Sequence, residues 1–250
     1  MPFDPIERAK EIEKIVAEGR KRKYYRVARP GRWYGGIASA DCCGCNLRCV
    51  FCWSNKPREN PEKYGRLYTP EDIGESIARC ARDHKYRLVR VSGNEPTITR
   101  EHLLAVIRLI DKTKLTFILE TNGTLLDEDY VQELAQFKNI HVRVSLKGTN
   151  PEEFSKLTGS MPETFEQIMI NVGLLDKHKI DFNLAVMLSF SPDKNIALLK
   201  KRLRGVAPDI SSNLEEEYVI LYPHVSGKLK NAGIEPLLAY TPAGVPKRLV

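Results

Sequence analysis

The residues best equipped for chemistry are cysteines, and five of the chain's six lie between Cys42 and Cys52, in "ADCCGCNLRCVFCWSN" (40–55). Cys45, Cys49 and Cys52, spaced x3 then x2, offer three thiolates from one short loop. Thiolates suit iron–sulfur clusters and zinc alike, so residue type does not fix the metal. Three of them can ligate three irons of a [4Fe–4S] cluster and leave the fourth iron open to another ligand. Adding Cys42 gives two C-x2-C pairs, Cys42/Cys45 and Cys49/Cys52, the makings of a four-cysteine zinc site. Only Asn46, Leu47 and Arg48 separate those pairs, whereas structural zinc sites usually use a longer spacer. A redox dithiol needs only one C-x2-C pair and leaves the other cysteines unexplained. Cys80, in "IARCARDHK", falls on a predicted helix and reads as a small buried side chain.

Whatever these thiols hold must be positioned by the surrounding elements. A chain of 250 residues, 42% apolar and 28% charged, has the length and composition of a soluble globular protein. No run of 18 apolar residues and no leader-like start is present, so no membrane role is expected. Clustered cysteines without a disulfide-like spread point to a cytoplasmic protein. Strand and helix patterns then alternate. "GGIASAD" (35–41) reads as a first strand that ends at the cysteine loop. "TPEDIGESIARCARDHK" reads as a helix capped by Thr69, with Pro70 at its first position. "YRLVRVSG", "LTFILETNG", "IHVRVSLKG", "DFNLAVMLSF" and "EEYVILYPHV" (216–225) read as five further strands with helices between them. In the helix "TREHLLAVIRLIDKT", Leu103, Leu104, Ile107 and Ile110 share one face. Apolar strands joined by helices imply a buried parallel sheet with right-handed crossovers. Periodicity alone allows a partial open barrel or a doubly wound sheet. The start, "MPFDPIERAKEIEKIVAEGRKRK", reads as an amphipathic helix.

Polar and glycine residues recur at the strand ends: "SGNEP" (92–96), "ETNG" (120–123), "SLKG" (145–148) and "YPHVSG" (222–227). Parallel α/β folds gather their sites at such ends. Together with "CNLRCVFCW" after a first strand, these motifs resemble the radical S-adenosylmethionine superfamily over roughly residues 35–228. Within it, their order is most similar to the compact activases of glycyl-radical enzymes. The resemblance implies an α/β fold, a partial (β/α)6 TIM-type barrel of parallel strands spanning 35–250, preceded by an N-terminal helix and basic arm over 1–34. It implies a [4Fe–4S] cluster on Cys45, Cys49 and Cys52 and S-adenosylmethionine on the open iron, cleaved reductively to a 5′-deoxyadenosyl radical that abstracts hydrogen. Phe51 would pack near the adenine. Backbone carbonyls of Gly93 and Asn94 would meet the methionine amino group, with Glu95 bracing the turn. Lys147 and His224 would approach the methionine or ribose end. Asn122, Ser145 and Asn183 complete the implied cofactor-binding set.

The chain departs from that pattern at three places. Asn94 replaces a glycine, which asparagine's tolerance of left-handed backbone would permit. Glu120 and Ser145 stand where the activases carry two aspartates that help hold a monovalent cation. Cys42 and Cys43 have no role in the motif. The implied partners are a flavodoxin- or ferredoxin-like electron donor and a substrate, either a protein glycine or a small molecule or RNA base. Net charge is +7, and Arg20, Lys21, Arg22, Lys23, Arg26, Arg29 and Arg32 alone equal that excess. Tyr24, Tyr25, Trp33 and Tyr34 interleave with them, as on nucleic-acid-binding surfaces. The plainer reading is a strand or arm that braces the domain. Rival functions are a zinc- or cluster-stabilised nucleic-acid-binding module and an electron-transfer iron–sulfur protein.

Overall fold

Asp4 accepts the Ile6 amide at 2.7 Å and Pro5 takes the first helical position, so the chain enters α1 (Pro5–Val16) at once. The helix ends sooner than the sequence suggests and turns into a hairpin of β1 (Ala17–Glu18) and β2 (Lys21–Gly31). β2 is the basic segment. It runs antiparallel to β3 (Ile37–Cys42), from Tyr24↔Cys42 to Gly31↔Ile37, so it is a strand that braces the domain. Its cations are largely committed. Arg22 is buried, Arg29 pairs with Asp41, Arg20 pairs with Glu71, and Lys23 donates to the Pro61 and Glu62 carbonyls. Arg26 and Arg32 lie over the rings of Tyr25 and Trp33, which accounts for part of the aromatic interleaving.

The computed structural model describes residues 1–210 and 214–246. The expected barrel span of 35–250 thus includes residues 211–213 and 247–250, which lie outside the described residues. Beyond the cysteine loop come α2 (Asn55–Glu59), β4 (Arg66–Tyr68) on the edge of β2, α3 (Pro70–Asp83) and β5 (Leu88–Ser92). The alternation continues with α4 (Arg100–Asp111), β6 (Thr116–Thr121), α5 (Glu128–Leu134) and β7 (Ile140–Leu146). It closes with α6 (Pro151–Thr158), α7 (Glu163–Lys177), β8 (Phe182–Met187), α8 (Asp193–Leu203) and β9 (Glu215–Glu217). β3, β5, β6, β7, β8 and β9 are parallel neighbours in that order. A doubly wound sheet reverses its strand order at a switch point, and this one does not. The architecture is therefore the partial (β/α)6 barrel, open because, among the described residues, β9 pairs with β8 alone.

Local signals explain the helices. Thr69 and Asp72 form a reciprocal capping box ahead of Pro70. Leu103, Leu104, Ile107 and Ile110 are all buried, as is Cys80. Besides the short β1, α2 and β4, the later part of the chain holds elements that were not expected. α6 begins at the Asn150 cap and ends on Gly159 in the left-handed region. The predicted last strand, 216–225, breaks after β9 into β10 (Val219–Ile220) and α9 (Pro223–Asn231), and β10 pairs with β11 (Ala239–Tyr240). Pro223 sets the helical φ for α9, so "YPHVSG" opens a helix and does not end a strand.

The strands also alternate more strictly than a sheet apolar on both faces would. Val89, Val91, Phe117, Leu119, Val142, Val144, Leu184 and Val186 are fully buried in the core beneath the helices. The intervening Arg90, Ser92, Glu120, Arg143 and Ser145 bond one another and β9 across the opposite face. Paired charges can occupy a barrel lumen where single ones would be too costly. No helix among the described residues is long and apolar enough to cross a membrane.

Candidate metal centre

β3 delivers the cysteine loop to the C-terminal ends of the parallel strands. Cys42 ends the strand fully buried in the main core. Cys43 is fully buried in a second cluster with Ala9, Ile12 and Val16 of α1, its thiol 3.5 Å from the Tyr64 carbonyl. Gly44 then turns the chain at φ +83°, where a Cβ would meet Ile12 at 2.5 Å and Val16 at 2.9 Å. Glycine lets α1 seat against the loop. Backbone bonds from Arg48 to the Thr158 carbonyl (2.9 Å) and from Val50 to the Leu157 carbonyl (2.9 Å) tie the loop to the end of α6.

Cys45, Cys49 and Cys52 are free thiols close enough to feel one another's charge. The Cys45 sulfur receives the Leu47 amide at 3.4 Å and the Asn122 side-chain amide at 3.9 Å. Burial, then Glu95 and Cys49, hold the Cys45 thiol well above its ordinary pKa. Burial pushes Cys49 up to about 11, against the opposing fields of Lys147 and Arg58. Both are thus thiols at neutral pH, and metal loading must release their protons. Among the described residues no three His, Cys, Asp or Glu side chains are set to clasp a single metal ion. With Cys42 spent in the core, the four-cysteine zinc arrangement is not assembled. A cubane holds its thiolates across the width of the cluster, and three free thiols on one loop fit that donor set.

The strand-end motifs surround this loop. Gly93 has φ +98°, and a Cβ there would press on Asp41 and Tyr25 at 3.0 Å. Asn94 is not among the positive-φ residues, so left-handed tolerance does not explain it. Its side chain instead accepts the Gly44 amide (3.0 Å) and donates to the Ser54 carbonyl (3.1 Å), one on each side of the three cysteines. Glu95, 2% exposed, accepts from both Thr97 donors, the Thr121 hydroxyl (2.6 Å) and the Asn122 amide (2.8 Å). Asn122 in turn donates to Asn46 at 2.8 Å. Phe51 packs on Phe190, ring centroids 5.7 Å apart, beside the exit of β8. Exposed His224, in the first turn of α9, reaches back to donate to the Trp53 carbonyl at 3.1 Å.

Three expected cofactor residues are already engaged in the lumen. Lys147 bonds Ser145 and lies 3.4 Å from Glu217, and Ser145 donates to Glu217 at 2.8 Å. Asn183 donates to Glu215 at 2.8 Å and accepts from His141, also at 2.8 Å, deeper in the barrel than the cysteine loop. Burial alone would raise the Glu217 pKa, yet Lys147 and Arg143 hold it well below the usual carboxylate range. Burial likewise opposes ionisation of Glu120, but Arg90, Arg143 and Ser92 keep it lowered. Glu120 is therefore held by the Arg90 guanidinium at 2.5 Å. The sequence reading missed Arg58, which donates to the Cys49 carbonyl at 2.6 Å, and Asn46, which bonds Pro5 and Thr124. It also missed Arg22, whose guanidinium binds carbonyls of Cys43, Glu95 and Pro96. Each acts through folded-back contacts that no local spacing displays.

The Radical SAM superfamily profile matches residues 41–202. An uncharacterized protein of Methanocaldococcus jannaschii is 26% identical over 191 residues, 76% of this chain and 59% of that protein. A probable GTP 3',8-cyclase of Methanococcus maripaludis is 36% identical over 115 residues, 46% of this chain and 37% of that protein. The chain thus spans less than two thirds of either relative. SuiB of Streptococcus suis, crystallised with S-adenosylmethionine, shares the fold at a TM-score of 0.54 and 19% identity, covering 64% of this chain and 36% of that one. The chain belongs to the radical SAM superfamily, whose members are enzymes that use a [4Fe–4S] cluster and S-adenosylmethionine.

Proposed function

We propose that Cys45, Cys49 and Cys52 hold the [4Fe–4S] cluster and that this chain uses it to cleave S-adenosylmethionine and start hydrogen abstraction from a second molecule. The observation carrying this reading is the set of three free thiols on one loop at the strand ends, with Asn122 and Lys147 converging on it. When bound, the reduced cluster supplies one electron to the sulfonium of S-adenosylmethionine, giving methionine and the 5′-deoxyadenosyl radical. The chain's own residues bind and orient. The Gly93 and Asn94 carbonyls accept from the methionine amino group on a turn that Glu95 holds rigid. Lys147 offers a cation to the carboxylate, and Phe51 offers a ring to the adenine. Asn122, Ser145 and Asn183 add polar contacts along the rim and lumen, and His224 closes the outer side. A flavodoxin- or ferredoxin-like donor delivers the electron.

The hydrogen donor we favour is a polar small molecule. The lumen is lined by fixed ion pairs and polar side chains, which suit a polar partner. The likeness to a protein named as a GTP 3',8-cyclase supports the same class. A protein glycine is the second reading, supported by the order of the strand-end motifs. It is ranked lower because Glu120 is taken by Arg90 and Ser145 replaces the second acid of the activases' cation site.

Anaerobic reconstitution, dithionite reduction and chromatographic detection of 5′-deoxyadenosine test the reading. Wild type and Cys42→Ala should load iron and release 5′-deoxyadenosine. Cys45→Ala, Cys49→Ala and Cys52→Ala should lose both. Iron-replete wild type that releases none, or colourless zinc-loaded protein, would sink it.

A further inference from the structure

We propose that Arg58 sets the reduction potential of the cluster, its unpaired Nε–H donating to a cluster or cysteinyl sulfur. This rests on the assignment of the cluster to Cys45, Cys49 and Cys52. Arg58 sits in α2, 4% exposed, where the chain folds back beneath the loop that carries those cysteines. Its Nη1 donates to the Cys49 carbonyl at 2.6 Å and its Nη2 to Glu59 at 2.6 Å. Glu59 is held from the other side by Lys228 of α9. These contacts fix the guanidinium plane, and the Nε remains buried without a hydrogen-bond partner. A buried donor without an acceptor is unfavourable, so a sulfur ligand at this position would satisfy it. The cation also lies in the field of all three thiols, that of Cys52 most strongly. Arg8 and Arg22 carry unpaired Nε atoms as well, but Arg58 is the one that hydrogen-bonds a proposed ligand residue.

Reduction adds one electron, and so one negative charge, to the cluster, with no bond broken and no proton transferred. A fixed cation and an N–H directed at sulfur stabilise the reduced form more than the oxidised one and raise the potential. Arg58 thereby makes the cluster reducible by a weaker donor than the bare loop would need.

The test is a potentiometric titration followed by electron paramagnetic resonance, without S-adenosylmethionine, on reconstituted wild type, Arg58→Gln and Arg58→Lys. Arg58→Gln should load iron and sulfide as wild type does. At the wild-type midpoint its reduced-to-oxidised ratio should fall tenfold or more, a downward shift of at least about 59 mV for one electron. Arg58→Lys keeps the charge but not the Nε–H and should fall between. An unchanged midpoint in Arg58→Gln overturns the proposal. If Arg58→Gln does not load, Arg58→Lys decides: a lowered midpoint supports the proposal and an unchanged one overturns it. If neither loads while wild type does, Arg58 is only a clamp on Cys49 and the proposal fails. Wild type that loads no cluster overturns the cluster assignment instead.

Discussion

Asn94 shows how one residue's role changes once its contacts are known. From sequence it is a tolerated stand-in for glycine, and on that reading Asn94→Gly would be neutral. In the fold Gly93 takes the left-handed turn, while the Asn94 amide bonds Gly44 and Ser54 and so spans the cysteine loop. Losing both bonds should cost about 1–3 kcal/mol. At about 2–4 °C per kcal/mol for a chain of this size, Asn94→Gly and Asn94→Ala should melt roughly 2–12 °C below wild type. Calorimetry checks this, and a neutral Asn94→Gly would restore the glycine-substitute reading. The cysteine spacing was legible because cluster loops are local in sequence. Arg58 and Arg22 were not, because each meets the loop only after α2 and β2 fold onto it. Nor were the bonds of Asn46, a loop residue whose partners Pro5, Thr124 and Asn122 come from distant segments.

At the scale of elements, helices with caps and a single apolar face were legible, as α3 and α4 show through Thr69 and the Leu103–Ile110 stripe. α6 was hidden because its cap, Asn150, lies in what reads as a turn after "SLKG". The basic segment was ambiguous because a strand's cations look alike whether they are free or paired. How β2 docks on α4 now yields a pH dependence. His102 of α4 must carry its proton on Nδ1, which donates to the Arg20 carbonyl at 2.9 Å, leaving Nε2 to accept from Tyr24 at 2.9 Å. Burial, opposed by the Arg20 carbonyl and assisted by Arg22, depresses the His102 pKa from 6.5 to about 4. A depressed folded pKa gives stability that is present above about 6.5 and lost as pH falls towards 4. The loss should approach about 3 kcal/mol. Urea unfolding between pH 8 and 4 should show this step in wild type and not in His102→Gln. Parallel pH profiles for the two proteins would remove His102 as its source.

Across the whole molecule, a net charge of +7 indicates little about where charge is used. The lumen face balances Arg29, Arg90, Arg143 and Lys147 against Asp41, Glu120, Glu215 and Glu217, so it is neutral while the excess lies elsewhere. Arg143 is the hinge of this arrangement. It binds Glu215 at 2.6 Å and Glu217 at 2.9 Å, joining β7 to β9 across β8 at the open side of the barrel. Burial would lower the Arg143 pKa, but Glu217 and Glu215 raise it well above its ordinary value. Its removal leaves carboxylates in the lumen without their main cation, and breaking a buried pair costs about 3–5 kcal/mol. Arg143→Met should therefore unfold at markedly lower urea. Removing the stranded charge as well, in Arg143→Met/Glu217→Gln, should recover part of the loss, with a coupling of about 0.5–3 kcal/mol for groups in direct contact. Lys147 remains to hold Glu217, which is why recovery should be partial. Strict additivity in the double-mutant cycle would mean that the lumen charges act independently, and that β9 is held by its backbone pairing to β8 and not by this ion-pair bridge.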